Sequence, residues 1–132
     1  MAYQIPNKNP LDVTKRVAIG VSIPFNSPSV FNQTYTTNDQ LRSNIINYVL
    51  TNSDERVFNP NFGLNLQAKL FDNITPVYIS NIENQLVSDL QAYFPMVSIK
   101  EIKITPDYDN NSITIFINYS YLGDTNTINL EL

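Results

Sequence analysis

Asp54-Glu55-Arg56-Val57-Phe58-Asn59-Pro60-Asn61-Phe62-Gly63-Leu64-Asn65-Leu66 separates two helical patterns and carries charges, two phenylalanines, a proline and a glycine at fixed offsets. It reads as a built loop. Asn59-Pro60 favours turn initiation, Gly63 can supply a positive φ, and Phe58 and Phe62 are expected to anchor the loop by apolar contact. A loop docked in that way displays Glu55 and Arg56 as a candidate partner-binding pair. Neighbouring residues in extended backbone point in different directions, so one of the two is expected inward and the other outward.

On the N-terminal side of this loop, Thr37-Asn38-Asp39-Gln40 fits a capping box, and Leu41, Ile45 and Val49 follow at helical spacing. The spacing predicts a helix from about Asn38 to Thr51. On the C-terminal side, Leu64 to Phe71 reads as a short helix; Thr75 then caps a longer one with Pro76 in its first turn. Ile79, Ile82, Leu86, Leu90 and Tyr93 form its apolar stripe, and Pro95 ends it. From Val97 the period becomes alternating. Ile113, Ile115, Ile117, Tyr119 and Tyr121 interleave with polar residues in a strand with one buried face, and Ile128, Leu130 and Leu132 repeat the pattern. Val97 and Ile99 are out of phase with Ile102 and Ile104, which predicts a bulge near Lys100-Glu101. Residues 1–36 carry Pro6, Pro10, Pro24 and Pro28 and read as an extended arm, with one strand within Val17 to Phe25. Helices followed by strands give an α+β fold: two main helices and a short one on a small antiparallel sheet, a single domain over 1–132.

The 132 residues have a net charge of −4 and contain neither Cys nor His. Acidity argues against a nucleic-acid or anionic-membrane surface. The missing residue types remove disulfides, thiol nucleophiles, imidazole bases and the usual zinc ligands, so no cofactor or metal is expected. Asp107, Asp109, Asn110 and Asn111 resemble a calcium-loop fragment but lack its Gly and closing Glu, and a polar hairpin turn is the better reading. No apolar run reaches the roughly 20 residues of a membrane span, and the N-terminus has no signal-peptide pattern. The expectation is a protein made in the cytosol and not exported.

Several motifs in one order resemble the lysozyme-like baseplate wedge family of contractile phage tails, which also includes a type VI secretion baseplate subunit. The match begins at Gly20-Val21-Ser22-Ile23-Pro24-Phe25. It continues through Asn47-Tyr48-Val49-Leu50-Thr51, the Glu-Arg-x-Phe-x-Pro-x-Phe-Gly-x-x-Leu core from Glu55 to Leu66, Leu70-Phe71 and Thr75-Pro76. The resemblance implies a structural subunit of a virion tail baseplate, present in several copies, that closes the ring around the tube and initiates the sheath. Its implied partners are other wedge proteins, the tail sheath protein and the tail tube, with assembly in the host cytoplasm. In the family the exit of the long helix carries a Glu-Pro-Arg motif that meets the core bundle of neighbouring wedge proteins. Here only Pro95 is kept, and Phe94 and Met96 are expected to supply an apolar contact instead. The resemblance also implies sheath docking by strand addition, at an edge near Thr127 to Leu132, with Thr127, Ile128 and Leu130 in contact, or near Ile102 to Thr105.

Glu83 falls inside the apolar stripe of the long helix. A carboxylate there needs a partner. The favoured reading is a structural ion pair with Arg42 or Arg56; the alternative is the general acid of a peptidoglycan hydrolase. That alternative needs a groove and a second carboxylate roughly 5 to 9.5 Å away. No recognisable lysozyme motif supplies them, so no catalytic residue is assigned.

Overall fold

The computed structural model describes residues 17–23, 33–66 and 74–132. Its elements are β1 (Gly20–Val21), β2 (Gln33–Thr34), α1 (Thr37–Leu50), α2 (Pro76–Tyr93), β3 (Ser98–Asp107), β4 (Ser112–Tyr121) and β5 (Asp124–Glu131). They divide into two compact units, Met1–Asn47 and Tyr48–Leu132, with the division inside α1.

In the first unit β1 and β2 form a short antiparallel ribbon, Gly20 opposite Thr34 and Val21 opposite Gln33. β1 lies within the strand expected from Val17 to Phe25; the rest of the expected arm, residues 1–16 and 24–32, lies outside the described residues. Helix α1 is capped one residue earlier than the sequence suggested. Thr36 Oγ1 accepts from the Asp39 N–H at 3.2 Å and donates to Asp39 Oδ2 at 2.7 Å, so the helix starts at Thr37. Gln40, the residue expected to close the box, is used elsewhere. It accepts from Thr34 Oγ1 at 2.6 Å and donates to Asn44 Oδ1 at 2.9 Å. A Cβ at Gly20 would run into the Gln40 carboxamide. The ribbon is thus tied to the first turn of the helix through side chains; Leu41, Ser43, Ile45 and Ile46 of α1 are buried.

The second unit is built on the sheet β3-β4-β5, antiparallel throughout. β4 alternates as its sequence dictates: Ile113, Ile115, Ile117, Tyr119 and Tyr121 are buried, and the residues between them are half-buried. Each fully buried isoleucine contributes about 1.5–3 kcal/mol, so this row and Ile104 and Ile128 beside it make the centre of the core. The register shift between Ile99 and Glu101 is the expected bulge. Leu122 and Gly123, at φ 49° and 89°, turn β4 into β5. Two successive positive φ values closing the Tyr121–Asp124 pair make a type I′ turn, whose twist suits a two-residue hairpin.

Helix α2 packs on β3. Thr75 is its N-cap, accepting from the Tyr78 N–H at 3.2 Å, and Pro76 stands at its first turn. It buries Ile82, Leu86 and Leu90 and stops at Tyr93, where Phe94 bonds back to the Leu90 carbonyl at 2.8 Å and Pro95 forbids another turn. Of the short helix expected from Leu64 to Phe71, residues 67–71 lie outside the described residues. The α+β class and the three-stranded meander stand as the sequence predicts.

Candidate assembly surfaces

The Asp54–Leu66 loop is braced from within. Its backbone closes on itself through Asp54 N–H to Pro60 O at 2.8 Å and Phe62 N–H to Asn59 O at 3.1 Å. Glu55 accepts from both the backbone N–H and the side-chain amide of Asn52, each at 2.9 Å. The backbone bond first and the amide second hold its carboxyl below the ordinary glutamate range. Gly63, at φ +110°, lies so close to the Thr51 carbonyl that a Cβ would strike it. The two phenylalanines part company. Phe62 is buried, whereas Phe58 is 101% exposed and Val57 88%. The expectation that Phe58 anchors the loop is therefore corrected: of the two phenylalanines, Phe62 is the anchor, and Leu64 and Leu66 are buried after it.

Phe62 organises an aromatic cluster that joins the loop to Tyr48 and to Tyr93 at the end of α2. Its ring lies edge-on to Tyr48 at 5.0 Å and to Tyr93 at 5.3 Å, while Tyr48 and Tyr93 are 5.2 Å apart. The Arg56 guanidinium sits 3.9 Å above the Phe62 ring. Such a contact contributes about 0.5–1 kcal/mol at exposed sites. Tyr48 donates its hydroxyl to Asp89 Oδ2 at 2.8 Å. Burial first, and then this bond to a carboxylate, push the Tyr48 hydroxyl well above the ordinary tyrosine range. The cluster brings together two places singled out separately in the sequence, Arg56 and the helix exit. Beyond Tyr93, Phe94 is half-buried, Pro95 exposed and Met96 57% exposed.

Glu83 has a different partner from the arginine expected of it. Half-buried on α2, it accepts the Ile104 N–H at Oε1, 2.8 Å away. Arg42 is exposed on α1, and Arg56 lies over Phe62. In place of the expected ion pair, the carboxylate accepts a charge-assisted bond from strand backbone, a class of hydrogen bond stronger than a neutral one. On the other side of the sheet, Ile113 and Leu132 exchange both backbone bonds at 2.9 Å. Antiparallel alternation then directs the main chain of Asp124, Asn126, Ile128 and Leu130 to β4 and that of Thr125, Thr127, Asn129 and Glu131 outward. Among the described residues nothing pairs with that outer edge. Of the expected docking residues, Thr127 shows its main chain at the edge, whereas Ile128 is fully buried and Leu130 half-buried.

No family model matches the chain. Over 88 residues, 67% of each protein, it is 25% identical to the baseplate wedge protein gp25 of Enterobacteria phage T4. Its fold superposes with a TM-score of 0.61 on a chain of the anti-feeding prophage baseplate, at 22% identity over 78% of this chain and 83% of that one. The chain thus resembles gp25 in sequence and a baseplate component in fold. A Geobacter sulfurreducens crystal structure described as a candidate tail lysozyme shares the same fold, with a TM-score of 0.66, 19% identity, and coverage of 75% and 92%.

The sequence pointed to the loop, the helix exit and the sheet edge, and missed Tyr48 and Asp89. The signal for Tyr48 was present: a tyrosine in the last turn of a helix, beside the buried position Val49, needs a partner for its hydroxyl. Asp89 carried none. The Asp107 turn is the polar hairpin the sequence suggested, with Asp107 Oδ1 accepting from the N–H groups of Asp109 at 3.0 Å and Asn110 at 3.3 Å. Among the described residues no group of three or more carboxylates is placed to hold a metal.

Proposed function

We propose that the chain is a structural baseplate wedge subunit of a contractile tail, repeated around the ring and assembled with other wedge proteins in the host cytoplasm. The observation that carries this reading is the outer edge of β5, unpaired among the described residues, in a fold shared with a baseplate component. An open edge gives a partner main-chain hydrogen bonds and register together. The tail sheath protein is the partner proposed there, the tube lies within the ring, and wedge proteins meet Arg56, Phe94, Pro95 and Met96. Asn129→Pro deletes an outward donor of β5 and leaves its bonds to β4 in place. It should abolish co-assembly with sheath while the monomer keeps its melting temperature; normal sheath assembly would overturn the edge assignment.

The chain acts without catalysis in this reading. Likeness to a protein described as a tail lysozyme is likeness of fold, and function follows the site. The Glu83 carboxylate is held by the Ile104 amide. Purified protein should not clear cell-wall suspensions above a buffer control, and clearing lost in a stably folded Glu83→Gln variant would reverse this conclusion.

A further inference from the structure

The two outer edges of the three-stranded sheet are chemically unlike. On β3, Ile102, Ile104 and Pro106 stand opposite Ile117, Ile115 and Ile113 of β4. Those β4 residues spend their main-chain groups on β5, so the groups of Ile102, Ile104 and Pro106 turn away from the sheet. Pro106 has no N–H to offer. The N–H of Ile104 is taken by Glu83 Oε1 at 2.8 Å, which confirms independently that it points outward. The register shift between Ile99 and Glu101 then ends the regular stretch. β5 has none of these features: Thr125, Thr127, Asn129 and Glu131 all keep an outward N–H.

We infer that Glu83 and Pro106 are edge guards, which close β3 to strand addition and make the sheet one-sided. This accounts for a carboxylate inside the apolar stripe of α2, where an aliphatic residue would pack more simply. Its position is dictated by the strand edge it reaches. An unguarded β3 would let the β5 edge of one copy pair with the β3 edge of the next, a heterologous contact that repeats without closing and builds open-ended strings. With β3 closed, one extended segment can join, on β5. Its residues beside Leu130 must be apolar to continue the inner face, and those beside Thr127 and Asn129 polar.

The guard role is open to test on the purified chain, apart from any baseplate partner, so its failure leaves the assembly proposal standing. Hydrogen exchange compares two outward amides of one strand, Ile104 and Ile102. A charge-assisted bond should slow Ile104 by about tenfold or more relative to Ile102. Glu83→Gln, which keeps an acceptor, should preserve much of that protection, and Glu83→Leu, which suits the apolar stripe, should remove it. In sedimentation velocity the Glu83→Leu/Pro106→Val protein should grow in size with concentration past a dimer, and adding Asn129→Pro should stop the growth. Equal exchange of Ile104 and Ile102 in the unmodified chain would overturn the inference. So would a double variant that melts like the parent and shows no growth.

Discussion

Tyr48 shows how a single hydroxyl can connect two helices of a small core. It is almost wholly buried and gives its proton to Asp89, so Tyr48→Phe leaves that carboxylate with one bond fewer at unchanged packing. The expected loss is about 1–2 kcal/mol in urea denaturation at neutral pH. The pH dependence has a definite sign. Because the folded-state pKa lies above the unfolded value, the stabilisation is complete below about pH 10 and declines as pH rises from there toward the folded value. Tyr48→Phe should flatten that alkaline decline; an identical alkaline profile would show that another group causes it. Gly63 is constrained by backbone and not by chemistry. At φ +110° and against the Thr51 carbonyl, a methyl group meets both strain and a clash. Gly63→Ala should cost about 2 kcal/mol or more in the same denaturation experiment.

At the scale of elements, the β4–β5 hairpin departs from its own local preference. Type I′ turns favour Asn-Gly because both central residues take positive φ, and here the first is Leu122, exposed and at φ 49°. Leu122→Asn should raise stability by about 0.5–1 kcal/mol without altering the register. A fall in melting temperature would mean that Leu122 has a packing role after all. The helix boundaries follow a similar logic of local rules with local exceptions. Thr75 and Pro76 start α2 where their chemistry says. The start of α1 moved because two threonines in succession could each serve as the cap, and Thr36 took the role once Gln40 was committed to Thr34.

For the whole molecule, the consequential surface is the one joining the braced loop to the exit of α2. Met96 is mostly exposed and Phe94 half-buried, so the two positions should respond differently to the same change. Met96→Asp is expected to shift stability by under about 0.5 kcal/mol and to weaken wedge assembly, whereas Phe94→Asp should lower the melting temperature as well. Wedge assembly unaffected by Met96→Asp would remove that residue from the interface. Much of this organisation was legible in the chain. The alternation of β4, the bulge before Glu101, the Thr75-Pro76 start and the stop at Pro95 are set by neighbours a few residues apart, and their periods and caps survive in any packing consistent with them. The tertiary structure alone decided which phenylalanine of the loop is buried, that Arg56 covers Phe62, and that Glu83 binds a strand amide in place of an arginine. Periodicity places a group on a face, but its partner is whatever distant segment crosses that face, and sheet register fixes that over separations of 21 residues, as between Glu83 and Ile104.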